Sequence, residues 1–366
     1  MTRIIVKVGT STLTGGTPRL HRPRILELVS QLSQLHQKGH EIILVSSGAQ
    51  AAGRERLNFP DYNKSVPFKQ MLAAVGQGQL MHLYSQLFDL YDLTVAQVLL
   101  TRDDLSERGR YLNARDTLDM LLAERIIPII NENDTVATNE IRVGDNDNLS
   151  AMVASVLEAD FLLILTDQKG LFTADPRKDP SAQLISEVVL IDAHIFAIAG
   201  GAGTKMGTGG MTTKIEAAQL ATRSGVTTII ASGNEPNVLT RLFIQNEAIG
   251  TRFLPTSTHL EGRKRWMLTD RPQGTVIVDS GAGQALVGRG ASLLPVGMIQ
   301  TVGEFARGEV LRICDPDGKE LARGLANYDS ADMQKLCRVK SSKIADILGY
   351  TYGDYVVHRN DMVILV

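Results

Sequence analysis

Short, nearly continuous apolar runs alternate with longer stretches of helical periodicity over roughly the first 250 residues, the pattern of βαβ units around a mostly parallel sheet. Residues 4–8, 41–46, 93–99, 126–130, 161–165 and 227–231 read as strands, most of them apolar throughout, as strands covered on both faces must be. Between them, Leu26, Val29, Leu32 and Leu35 recur at helical spacing, as do Leu80, Leu83, Leu87 and Leu90. Both sets predict crossover helices that lay these leucines on the sheet.

The alternation lapses near residues 254–274 into a polar, basic stretch containing Arg263, Lys264, Arg265 and Trp266. That lapse predicts a larger first domain over 1–255, a linker over 256–274 and a small domain over 275–366. In the last segment, residues 276–278, 285–287, 308–313, 320–325 and 355–358 read as short strands between glycine turns, with a helix over 330–336. The expected architecture is an open, mostly parallel α/β sheet sandwiched by helices, followed by a small, mainly β domain.

Composition narrows the chemistry. With 38 Lys and Arg against 40 Asp and Glu, the formal charge of -2 supplies no overall field for nucleic acid or anionic lipid. Two cysteines, Cys314 and Cys337, make neither a disulfide framework nor a paired zinc site, and no metal-ligand set is expected. The start runs directly into a strand without an apolar leader, and no apolar run approaches bilayer length, so a cytoplasmic protein is expected.

Chemistry-bearing residues gather where strands end. The first strand closes on Lys7, Val8 and Gly9, at the carboxyl edge where open α/β sheets bind ligands. The second ends Ser46-Ser47-Gly48, small residues that open a helix and offer amides to an anion. Asn131-Glu132-Asn133-Asp134 follows the strand ending at 130, and Gly144-Asp145-Asn146-Asp147-Asn148-Leu149 opens the next helical pattern. The Asp-rich loop lacks the D-x-[DN]-x-[DN]-G spacing and distal glutamate of an EF-hand, so calcium is excluded. Thr166, Asp167 and Lys169-Gly170 follow another strand and fit either a nucleotide border or a hairpin turn. The glycine-rich segment 200–210 runs into Met211-Thr212-Thr213-Lys214 and a helix, a combination of amides, hydroxyls and positive charge suited to phosphates.

Neither a Walker A sequence nor a dinucleotide fingerprint occurs, and no Gly-x-Ser-x-Gly elbow supplies a hydrolase nucleophile. Lysines, carboxamides and a glycine loop instead suit phosphoryl transfer, which needs positioning and charge neutralisation. The histidines lie away from these strand ends, which favours an acceptor that needs no base. A carboxylate, already ionised at neutral pH, is such an acceptor.

Taken together, Lys7-Val8-Gly9-Thr10-Ser11, Ser47-Gly48-Ala49, Leu112-Asn113-Ala114-Arg115-Asp116-Thr117, Asn131-Glu132-Asn133-Asp134, Gly144 to Ser150, Thr166 to Leu171 and Gly207 to Lys214 resemble the amino acid kinase family over essentially the whole chain. The resemblance is to those members that phosphorylate the side-chain carboxylate of L-glutamate in proline biosynthesis and carry a C-terminal PUA domain. It implies ATP and Mg²⁺, with Lys7 and Lys214 stabilising the transferred phosphoryl group and Asp147 orienting them. It further implies Ser47, Asp134 and Asn146 as glutamate ligands, and Lys7, Gly9, Thr166, Asp167, Thr208, Gly209, Gly210, Met211, Thr212, Thr213 and Lys214 along the nucleotide. Inhibition by proline, a homo-oligomer and handover of product to glutamyl phosphate reductase are expected on the same ground. Kinases of acetylglutamate, aspartate or carbamate, and an RNA-binding role for the PUA-like domain, are the alternatives. Gln50 departs from the apolar residue expected after Ser-Gly-Ala, and is expected to touch none of the residues given roles.

Overall fold

The larger sheet follows from strands apolar on both faces. β1 (Arg3–Val8), β2 (Glu41–Ser46), β3 (Val95–Leu100), β4 (Ile127–Glu132), β5 (Phe161–Thr166), β6 (Glu187–Val188), β7 (Thr227–Ser232) and β8 (Thr251–Phe253) assemble in the order β3-β4-β2-β1-β5-β7-β8-β6. All neighbours are parallel except β7 and β8. From β1 the chain builds outward to one side through β2, and after β4 it crosses to the other side at β5. That reversal beside β1 is where the loops leaving adjacent strands diverge and open a crevice. The computed structural model describes residues 1–61, 65–137, 146–200, 210–258 and 271–366.

Helices cover both faces: α1 (Thr10–Thr14), α2 (Arg22–Gln37), α3 (Ala49–Arg56), α4 (Val66–Asp89), α5 (Arg102–Ser106), α6 (Arg108–Ala123), α7 (Asn146–Val156), α8 (Ala193–Gly200), α9 (Met211–Arg223) and α10 (Val238–Phe243). Strand alternation divides β1 between two layers. Ile4, Val6 and Val8 join the cluster formed with α2, α4 and α10, which leaves Ile5 and Lys7 for the opposite face, where α7 packs. The helical leucine pattern needs one shift: Ile25, Leu28, Val29, Leu32 and Leu35 are buried on α2, whereas Leu26 is exposed. On α4 Leu72, Gly76, Leu80, Tyr84 and Phe88 are buried at intervals of four residues, with Ala73 beside them, and Leu90 lies in solvent.

Contacts divide the chain into two compact units, Met1–Leu105 with Ala114–His259, and Ser106–Asn113 with Leu260–Val366. The second has its own five-stranded sheet, β9 (Gly274–Val278), β10 (Met298–Val302), β11 (Val310–Cys314), β12 (Glu320–Leu325) and β13 (Met362–Ile364), in the order β10-β9-β11-β12-β13. Only β9 and β11 run parallel. Residues 285–287 are helical here: Ser280–Arg289 forms a helix whose N-cap Asp279 accepts from the Ala282 amide at 2.7 Å and which ends at Gly290 with φ 58. Within 355–358, Val357 makes an isolated bridge to Leu293 rather than a strand. The final strand comes a few residues later, at β13.

Candidate active site

Three charged side chains meet under the carboxyl edge of the larger sheet. Lys7, the penultimate residue of β1, places Nζ 2.5 Å from Asp147 Oδ1, and Lys214 Nζ donates to Asp147 Oδ2 at 3.1 Å. Asp147 lies in the first turn of α7, where the helix dipole favours a carboxylate, and Lys214 in the first turn of α9, which packs against α7. All three are buried, Asp147 to 1% exposure. Burial alone would push the Asp147 carboxyl upward; the charges of Lys7 and Lys214 and their hydrogen bonds outweigh it and hold the group below the ordinary carboxylate range. Thr213 Oγ1 is 3.0 Å from Asp147 Oδ2 and 2.9 Å from the Gly210 carbonyl, and its single proton serves one of them at a time. Two ammonium groups on one carboxylate leave this buried trio with one positive charge in excess, a setting that favours an anion.

Beside the trio runs a file of amides. Asn146, the residue before Asp147, donates Nδ2 to Ser47 Oγ at 2.9 Å and to Asn131 Oδ1 at 2.9 Å. Asn131 in turn donates Nδ2 to Gln77 Oε1 of α4 at 2.9 Å. Ser47 itself is fixed from behind, since its backbone amide donates to the Val8 carbonyl at 3.0 Å and its carbonyl accepts from Ser46 Oγ at 2.9 Å. Ser46 Oγ also meets the hydroxyl of the fully buried Tyr84 at 2.8 Å. Burial keeps that phenol protonated well above its usual range.

Asp134 lies on the loop after β4, and its carboxyl is pushed up to about 6, first by burial, against which a hydrogen bond from Gln50 and the charge of Lys69 act in the lowering direction. Gln50 therefore touches a residue given a role, contrary to expectation. Its helix α3 crosses α4 backbone against backbone: a Cβ on Gly76 would stand 1.8 Å from the Ala49 carbonyl oxygen, and one on Gly53 1.9 Å from that of Leu72. Only glycine permits this approach, and the crossing delivers Gln50 and Gln77 to the same neighbourhood. α4 also holds the loop itself, through Gln70 Nε2 to the Thr135 and Ala137 carbonyls at 3.2 and 3.4 Å. Gln70 and Gln77, seven apart, lie on one helical stripe.

On the expected nucleotide side, Thr166 at the end of β5 is buried and donates to Asp167 Oδ1 at 3.0 Å. Gly210 caps α9 without a side-chain hydrogen bond, and Met211, Thr212 and Thr213 form its first turn with amides directed outward from the helix end. Gly9 borders the trio: a Cβ there would lie 3.7 Å from Lys7 Nζ. Thr208 and Gly209, like Gly144, Asp145 and the 263–266 basic run, lie outside the described residues. The structure thus joins Lys7, Asp147, Thr213 and Lys214 in one cluster and Ser47 with Asn146 in another, while the partners given above for Asp134 are Gln50 and Lys69. Gln77, Asn131 as a hinge of the network, and Gln50 were not assigned roles from sequence. The recurrence of glutamine at positions 70 and 77, one seven-residue repeat apart on α4, is the available signal.

A strand-end lysine, a helix-end lysine and a carboxylate bridging them define a phosphotransferase-like centre in an α/β sheet. In agreement, the model of the amino acid kinase family matches residues 2–232, and that of the PUA domain matches residues 274–348. The chain belongs to the amino acid kinase family. Its relatives point to one branch: glutamate 5-kinase of Herpetosiphon aurantiacus is 55% identical over 362 residues, covering 99% of this chain and 98% of that protein. Glutamate 5-kinase of Deinococcus radiodurans is 53% identical over 99% of this chain and 100% of its own, and that of Vibrio campbellii 53% over 99% and 96%. No helix among the described residues is long and apolar enough to cross a membrane.

Proposed function

We propose that the chain transfers the γ-phosphoryl group of ATP to the side-chain carboxylate of L-glutamate, giving L-glutamyl 5-phosphate for proline synthesis. The buried Lys7–Asp147–Lys214 trio carries this reading, and the glutamate 5-kinase relatives supply the substrate. A glutamate carboxylate oxygen forms the new bond to the γ-phosphorus while the bond from that phosphorus to the bridging oxygen of ADP breaks. The nucleophile is ionised at neutral pH, so no proton has to be removed, and the difficulty is the repulsion between two anions. Lys7 and Lys214 offset it by facing the transferred group with the excess positive charge, and Asp147 fixes both ammonium groups in place.

Ser47 and Asn146 would hold the amino acid next to the trio, and Asp134 would pair with its ammonium group. Gly9, Thr166, Asp167 and the segment from Thr208 to Lys214 would border ATP, whose phosphates suit the start of α9. Both Asp147 oxygens engage lysines, so Mg²⁺ would be carried in by the nucleotide's phosphates and would supply further neutralising charge. ADP release dependent on both Mg²⁺ and glutamate, with the product trapped by hydroxylamine as the γ-hydroxamate, tests the reading. Much faster turnover of N-acetylglutamate or aspartate would overturn the substrate. Proline added to the same assay tests end-product inhibition, sedimentation tests the homo-oligomer, and coupling to glutamyl phosphate reductase tests handover.

A further inference from the structure

The amide file has a direction, and one backbone group sets it. The amide of Glu132 donates to Asn131 Oδ1 at 2.9 Å, which fixes that oxygen as the acceptor and leaves Nδ2 as the donor. Gln77 must therefore present its oxygen to Asn131, and Asn146 must present its nitrogen. Flipping either amide would set nitrogen against nitrogen or oxygen against oxygen. Two polar atoms remain at the ends, both buried and both without a protein partner among the described residues: Gln77 Nε2, a donor, and Asn146 Oδ1, an acceptor. Leaving such a donor unmatched is unfavourable, so its place in a ligand site calls for an acceptor brought by the ligand.

We infer that Gln77 is a substrate-specificity residue whose Nε2 donates to the α-carboxylate of the amino-acid substrate, with Asn131 as the positioning residue that prevents it from presenting oxygen. The assignment rests on the glutamate reading above. Asn146 adjoins Asp147, so the Asn146 end of the file lies by the lysines, where the reacting side-chain carboxylate belongs. Gln77 stands two hydrogen bonds away, at the end that suits the other carboxylate.

The prediction concerns discrimination between glutamate and its α-carboxamide, isoglutamine, which keeps the reactive side chain but lacks the α-anion. Glu at position 77 still accepts from Asn131 and turns a second oxygen toward the substrate. Gln77→Glu is expected to raise the glutamate KM at least tenfold, leave the isoglutamine KM unchanged or lower, and leave the ATP KM within about threefold. Asn131→Asp provides a second route to the same polarity, since its extra acceptor oxygen takes Gln77 Nε2 and turns Oε1 outward; the glutamate-to-isoglutamine preference falls in the same direction. Melting curves identify folded variants, and either one suffices. If wild type shows no glutamate-dependent turnover, the underlying reading fails. If wild type turns over and a folded variant keeps the wild-type preference for glutamate, Gln77 does not read the α-carboxylate.

Discussion

Two aspartates in the same domain are driven in opposite directions. Asp147 is nearly sealed from water yet held below the ordinary carboxylate range, because two ammonium groups sit on its two oxygens. Asp134 is less enclosed yet pushed up to about 6, because burial meets only an amide and a lysine charge. Depth alone therefore does not decide ionisation; the supply of compensating donors does. The contrast separates a charge-saturated side, suited to phosphoryl transfer, from an amide-lined side whose carboxylate is still open to a cationic group.

The comparison breaks most visibly at Asp147. Asn in its place leaves two buried ammonium groups facing one another, and kcat is expected to fall about 10³-fold or more, with a stability loss of about 3 kcal/mol in denaturant titration. In the wild type, the folded carboxyl lies below its unfolded value, so its stabilisation is present above about pH 4 and lost as pH falls below that. Lys214→Ala removes one arm of the trio. Its kcat should drop about 10²- to 10³-fold with little change in glutamate KM, and unchanged turnover would remove Lys214 from the chemistry.

Asp134 answers differently. Asn there should raise the glutamate KM about tenfold and leave kcat within about threefold. Because the folded state holds its proton more tightly than the unfolded chain, wild-type stability declines as pH rises from about 4 to about 6. Asp134→Asn should therefore raise the melting temperature above pH 6 and leave it unchanged near pH 4. Wild-type glutamate KM should rise as pH falls through about 6, where the carboxylate is lost; a flat profile from pH 5 to 8 would rule out the ammonium pairing. The smallest effect belongs to Gln50→Ile, which removes a bond that lowers Asp134. Its KM profile should keep its shape and move to higher pH, with a two- to threefold higher KM at neutrality.

What the chain discloses before folding depends on whether a signal is local. Residues 41–46, 161–165 and 227–231 are legible as strands because apolar and β-branched side chains crowd a short run, and each forms a strand there. Residues 285–287 misread for the same reason: an apolar triplet among glycines looks like a strand, while the deciding feature, the Asp279 cap, stands several residues upstream. The charged trio was legible residue by residue, since Lys7, Asp147 and Lys214 each follow an obvious boundary. Gln77 was not, because its meaning arises from Asn131 on another strand and from the Glu132 amide that fixes Asn131. Gln50 stands out in the sequence only as a polar residue where an apolar one is expected; its contact with Asp134 exists only once two glycines let α3 and α4 meet.

That helix crossing also limits how this part of the enzyme can move. Two helices locked backbone to backbone have no pliant side chains between them, so α3 and α4 cannot slide past one another without opening the Gly53–Gly76 contact. They must travel as a single lever with Gln50 and Gln77 mounted on it. Any closure around the amino acid would therefore be a swing of the whole pair, with its pivot outside the crossing, and Gln77 and the Gln50–Asp134 contact would shift in the same stroke.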